Sequence, residues 1–127
     1  MVKLIMALKG SGKTKRLVDM VRKAAEEEHG SVVCIEKDKN LTYDIPYTAR
    51  LIHAAEYGIN TNALLRGFVS GLHAGNYDIS HVFIDNFYKM LDDPSDEGVV
   101  ALLTWLEKFS ATAEPEKADE RIKKYII

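Results

Sequence analysis

The sequence predicts an α/β fold: a three-layer sandwich around a mainly parallel sheet, reduced in size. Three observations carry this. The chain opens as strand, glycine-rich loop, helix, strand, which is the βαβ unit of a parallel sheet. The runs "SVVCIE" (31–36) and "HVFIDNF" (81–87) are nearly continuous in apolar residues, as strands covered on both faces require. Between them the apolar residues recur at helical spacing.

Taken in order, residues 2–8, "VKLIMAL", read as a buried strand. Residues 13–29 read as a helix, with Leu17, Val18, Val21, Ala24 and Ala25 on one face and Gly30 as its stop. The β-branched stretch 31–36 is the next strand. Residues 37–47, "KDKNLTYDIPY", are polar and contain Pro46, so they read as a loop. Residues 48–58 fit either a short strand (50–54) or a helical turn. Residues 60–75 read as a helix, with Leu64, Leu65, Phe68, Val69 and Leu72 at helical spacing and Asn60 or Thr61 as cap. "AGNYD" breaks the chain before the strand 81–87. Residues 94–109 read as a helix capped by Asp93. Pro94 fits its first turn, and Asp96 and Glu97 suit the positive end of its dipole. A last helix is expected at about 115–126.

With 127 residues, 46% hydrophobic and 28% charged, the chain is expected to form a single domain spanning 1–127. That length is short for an enzyme with a separate lid or substrate domain. A net charge of −2 gives no global pull toward nucleic acid or an anionic membrane, although Lys9, Lys13, Lys15 and Arg16 form a local basic cluster. The one cysteine, Cys34, sits in an apolar run and reads as a buried, inert thiol. No His/Cys pair has zinc-ligand spacing. The N-terminus lacks a signal-peptide pattern and no segment is apolar for long enough to span a bilayer, so a soluble, cytoplasmic protein is expected.

The chemistry concentrates in "ALKGSGKT", Ala7 to Thr14. A phosphate cradle needs inward-pointing backbone N–H groups, which glycine permits, at the start of a helix whose dipole favours anions. Gly10 and Gly12 supply the backbone freedom; Lys13 is the lysine for the β- and γ-phosphates, and Thr14 the hydroxyl for Mg²⁺. Lys9, Gly10, Ser11, Gly12, Lys13, Thr14 and Lys15 form the expected binding segment. Ala7 stands where the strict pattern has its first glycine, at the end of a strand, where a methyl group is a mild change.

Together with Val82–Asp85, this segment resembles the P-loop NTPases, with Ala7–Thr14 as Walker A and Val82–Asp85 as Walker B. The resemblance covers the first 87 residues and implies a P-loop NTPase sheet, ATP and Mg²⁺ as cofactors, and Asp85 with Thr14 at the metal. "LKGSGKTKRLVDMV…VVCIEK…TYDI…GNYDISHVFID" looks like short bacterial ATP-binding proteins often labelled twitching-motility (pilus-retraction) ATPases. True retraction ATPases are much longer, and their acidic and histidine motifs have no counterpart here. No Asn-Lys-x-Asp tetrad follows "KDKN" (37–40), which favours ATP over GTP.

Many ATP-hydrolysing members and thymidine kinases carry glutamate directly after the Walker B acid. Here Asn86 stands there; it can orient a water but cannot take its proton. The catalytic set the resemblance implies is therefore Lys13, Asp85 and Asn86, with Asp44 and Glu36 as carboxylates able to substitute as base. Arg50 and Arg66 are candidates for an arginine finger, set against ordinary surface arginines. Tyr43 and Tyr47 are candidates to stack on a base or substrate ring beyond the strands' carboxyl ends, set against loop anchors. "VSGLHAG" (69–75) reads as helix-to-turn packing. After Phe109 only "SATAEP" is available for an additional central strand, so the strand order beyond Asp85 stays open.

Three functions fit: a slow or partner-activated ATPase, a nucleoside or small-molecule kinase similar to thymidine kinase, and a non-catalytic ATP-binding switch. The kinase reading lacks the glutamate after Asp85, zinc cysteines and an arginine-rich lid. The nucleotide is the expected ligand; a homo-oligomer or a regulatory protein partner stays open; no membrane or nucleic-acid partner is indicated.

Overall fold

In a computed structural model of the chain, the described residues are 13–27, 30–76, 78–92 and 95–109, with Lys13 and Thr14 described by their backbone. The expected strand 2–8, the loop residues 7–12, the segment 110–113 and the expected helix 115–126 lie outside them. Two compact units divide the chain. Thr14–Asp92 is one, and the helix that follows belongs to the other.

The first unit is α/β. Helix α1 (Lys13–Glu27) leads into strand β1 (Ser31–Glu36). Strand β2 (Ala49–His53) continues into a single 3₁₀ turn, Ala54–Tyr57. Helix α2 (Asn62–Gly75) leads to strand β3 (Ile79–Ile84), and a one-turn helix α3 (Phe87–Met90) follows. The sheet has three strands in the order β2-β1-β3, parallel throughout. β1 lies between the others, and its residues from Val32 to Glu36 are all buried, which explains its unbroken apolar run.

Side chains alternate along β1. Val32 and Cys34 join Leu17, Val18, Val21 and Ala24 of α1 in one apolar cluster, closed by Leu41 and Ile45 of the β1–β2 crossover and by Ala49, the first residue of β2. Val33 and Ile35 have the other parity and are equally buried. The crossover is held as a helical turn: the Asp44 and Ile45 N–H groups donate to Leu41 C=O, and Arg22 Nε donates to Asp44 C=O. It carries the chain from the carboxyl end of β1 back to Ala49, which pairs with Val32 near the start of β1.

Gly30 does more than stop a helix. A Cβ there would lie 2.4 Å from the Asp78 carbonyl oxygen, and Ser31 N–H donates to that same oxygen at 2.8 Å. The chain can pass this close to β3 only without a side chain. The β1–β3 register shifts between Ser31 and Val32, which pair with Ile79 and His81.

Several boundaries differ from expectation. The segment 48–58 is strand and then helical turn, in succession. Thr61 caps α2, accepting from Leu64 N–H; Leu65 and Val69 are buried, while Leu64 is half-exposed. The third strand runs 79–84 rather than 81–87, because Asn86 takes a left-handed φ of 55° and turns the chain into α3. In the second unit, α4 (Asp96–Phe109) buries Val99, Leu102 and Leu103. Its first turn holds Asp96 and Glu97, as expected, but Ser95 does the capping: its Oγ accepts from Gly98 N–H and its C=O from Val99 N–H. Asp93 and Pro94 lie outside the described residues. No helix among the described residues is long and apolar enough to cross a membrane.

Candidate functional site

In a parallel sheet all the carboxyl ends lie on one edge, and ligands of open α/β sheets bind beyond that edge. Here the three strands end on titratable residues or lead directly into one. Glu36 closes β1 and pairs in register with His53, the last residue of β2. On the other side Ile35 pairs with Ile84, and Asp85 N–H donates to Ile35 C=O at 2.8 Å. Glu36 is therefore flanked by His53 on one strand and Asp85 on the other.

Glu36 is the one charged residue among the described ones that is buried, at 1% exposure. Burial of an ionised carboxylate must be compensated by hydrogen bonds. Leu41 N–H supplies them, 3.2 Å and 3.1 Å from the two carboxylate oxygens. Burial pushes the Glu36 pKa above its ordinary 4.5. The Leu41 amide, His53 and the Asn40 amide pull the other way, and the charge of Asp85 adds to the upward push.

His53 Nδ1 lies 2.6 Å from Asp38 C=O and 3.5 Å from Glu36 Oε2. A carbonyl only accepts, so the Nδ1 of this pair carries the hydrogen. Ala55 N–H donates to Lys37 C=O, and Lys39 Nζ pairs with a Glu56 carboxylate oxygen at 3.0 Å. That ion pair holds the Glu56 pKa low. Residues 37–41 are thus stapled to the end of β2 and the turn after it, and they fold over Glu36.

Asp85 is half-buried just beyond β3. Two residues before Glu36 on β1, Cys34 is fully buried, and its thiol is pushed up to about 12, by burial first and then by the charges of Asp85 and Glu36. Asn86 is exposed and makes no side-chain cap bond; its carbonyl accepts from the Lys89 and Met90 N–H groups. Asparagine tolerates the left-handed region better than most residues. Its presence there has a backbone explanation independent of chemistry.

The other expected residues are distributed as follows. Lys13 and Thr14 begin α1, and Lys15 is exposed on its first turn; Lys9, Gly10, Ser11 and Gly12 lie outside the described residues. Arg50 pairs with Val33 toward the amino end of β2, away from the carboxyl edge. Arg66 Nε donates to Asn62 Oδ1 one turn back on α2. Asp44 sits on the crossover and is exposed. Tyr43 and Tyr47 are almost wholly exposed, at 97% and 98%. Neither anchors the loop; the buried Leu41 and Ile45 do that.

From sequence, Glu36 stands only as one of two substitute carboxylates, and His53 is not singled out. The available signal was that the apolar runs 31–36 and 81–84 each close on or beside an acid. Among the described residues, no group of three or more His, Cys, Asp or Glu is arranged to hold a metal ion. Comparison with known protein families, curated proteins and solved structures finds no match.

Proposed function

We propose that this chain binds Mg-ATP through a P-loop formed by residues 7–14, with Thr14 and Asp85 at the magnesium, and hydrolyses it slowly or on activation by a partner. The observation that carries the reading is the proximity of Glu36 and Asp85 on the carboxyl edge of a parallel sheet, where Asp85 N–H donates to Ile35 C=O and the Asp85 charge acts on Glu36; α1 packs on the same sheet against Val32 and Cys34. α1 is about 22 Å long, from 15 residues, and β1 is about 20 Å long, from 6 residues. The link between them is only residues 28–30, at the amino end of β1. A helix packed back along the strand therefore begins near the carboxyl edge. It begins with Lys13 and Thr14, the last two residues of the glycine-rich segment. Magnesium is commonly held by one or two carboxylates together with substrate phosphates, so one acid and one hydroxyl suffice.

In this reading Asp85 binds the metal, Lys13 neutralises phosphate, and Glu36 takes the proton that Asn86 cannot. The attacking water forms its bond to the γ-phosphorus, the bond to the bridging oxygen breaks, and the leaving electron pair stays on ADP. A second reading, the ATP-binding switch, is favoured by one observation: both Glu36 oxygens already accept from Leu41 N–H.

Calorimetric titration with ATP, ADP and GTP, with and without magnesium, tests the binding. Mg-ATP binding that vanishes in Lys13→Ala is the expected result; binding that survives the substitution would sink the P-loop assignment. Equal affinity for GTP would remove the adenine preference. Phosphate release without an acceptor supports the ATPase. Transfer only to an added nucleoside supports the kinase, and binding with no turnover supports the switch.

A further inference from the structure

A proton acceptor must come within about 2.6–3.2 Å of the group it serves. Glu36 is 1% exposed, and its carboxylate is covered by the turn that follows it. We propose that residues 37–41 form a shutter on the nucleotide site: Glu36 is stored under its own turn, and His53 is the positioning residue that keeps the turn closed. This rests on the Mg-ATP reading above and adds a regulatory step to it.

The turn has the construction of a movable part. Lys37, Asp38, Lys39 and Asn40 are all exposed, so lifting them uncovers no apolar core. The two hinges are the residues that are buried, Glu36 and Leu41. Between them the turn is held by polar contacts: Leu41 N–H on Glu36, His53 Nδ1–H on Asp38 C=O, Ala55 N–H on Lys37 C=O, and the Lys39–Glu56 pair. His53 touches both the turn and the stored carboxylate.

The turn also carries what a ligand would pull on. Lys37 and Lys39 are both exposed, on the turn that leaves the carboxyl end of β1. Among the described residues the Lys39 ammonium pairs with Glu56, and the two side chains are 69% and 46% exposed. A ligand shifts a conformational equilibrium only through differential affinity, and an anion that attracts these lysines in the lifted turn supplies it. Opening takes the Leu41 amide off Glu36 and frees the carboxylate to accept a proton from water.

The test is hydrogen exchange at the Leu41 amide together with single-turnover phosphate release, on the full chain, with Mg-ATP and a non-hydrolysable Mg-ATP analogue. The free protein is expected to protect Leu41 N–H, and the analogue to speed its exchange about fivefold or more, as loss of one hydrogen bond allows. His53→Gln, which breaks one staple, should raise phosphate release and tighten nucleotide binding, because the lifted turn that the ligand prefers becomes more populated. Glu36→Gln should abolish release, alone and combined with His53→Gln. Glu56→Gln removes the charge from the exposed staple without touching the interior, and the weakened pair should shift exchange and release in the same direction as His53→Gln. A Leu41 amide equally protected with bound analogue overturns the shutter, as does a Glu56→Gln variant with neither readout moved. Failure of Mg-ATP to bind removes the site itself, and titration shows that before any exchange measurement is made.

Discussion

Replacing Asn86 by alanine and by glycine separates two reasons for an asparagine after Asp85. The backbone there has φ 55° and ψ 50°, the one positive φ among the described non-glycine residues. An ordinary L-residue pays about 1–2 kcal/mol in this region, and asparagine less. Glycine pays nothing there, but it brings about 0.5–1 kcal/mol of extra unfolded-chain freedom. Asn86→Ala should therefore destabilise the fold by about 1 kcal/mol, and Asn86→Gly should stay within about 0.5 kcal/mol of the parent. For a chain of this size, 1 kcal/mol is about 3–4 °C in Tm, so urea and thermal melts resolve the order. Phosphate release gives the second readout. If the carboxamide orients the attacking water, both variants lose turnover alike, by roughly 10- to 100-fold. If its role is only to turn the chain, glycine keeps the rate. Alanine as stable as glycine would refute the backbone argument, because that argument predicts their order from φ alone.

Three further outcomes follow from the same geometry. Gly30→Ala should destabilise the fold by about 1–3 kcal/mol, since the new Cβ meets backbone at Asp78 and not a yielding side chain; an unchanged denaturation midpoint would show that β1 and β3 are not packed this closely. Cys34, buried and with its thiol pushed to about 12, should resist alkylation at pH 8 in the native state and react at the rate of unfolding; rapid labelling of folded protein would contradict its placement. Because the Glu36 pKa is raised in the fold, the folded state keeps that proton to higher pH than the unfolded chain. Stability from this group is complete below 4.5 and is lost as the pH rises through the range above it. Denaturant melts across that range should show a downward slope that Glu36→Gln flattens; an identical slope in the variant would place the burial cost elsewhere.

Much of the scaffold was legible because its determinants are local. β1 announces itself through "SVVCI", α1 through a stripe that includes Leu17, Val21 and Ala24, and α2 through Thr61 as its cap. What was not legible depends on contacts far apart in sequence. Nothing in "HVFIDNF" indicates that the strand stops at Ile84, since Phe87 is as apolar as its predecessors and is buried from a helix instead. The preference of Asn86 for a left-handed backbone was the one available hint. The candidate site was legible only as separate parts. Asp85 and Glu36 are 49 positions apart, and only the β1–β3 pairing makes them neighbours.

That neighbourhood sharpens the functional question. Two carboxylates near one another resist simultaneous ionisation, and the charge of Asp85 does push the pKa of Glu36 upward. Placing such a pair at a sheet edge is unfavourable for the bare protein unless something offsets it. In the chain itself the offset comes from the Leu41 and Asn40 amides and from His53, which all favour the ionised Glu36. A magnesium ion at Asp85 would relieve the same repulsion from the other side and so favour the ionised Glu36 that the Leu41 amide holds. On this argument metal binding opposes the release of residues 37–41, while phosphates acting on Lys37 and Lys39 favour it. Magnesium with nucleotide should therefore loosen the Leu41 amide less than nucleotide alone. Equal loosening with and without the metal would mean that the phosphates act on Lys37 and Lys39 only, and that the Asp85–Glu36 repulsion plays no part.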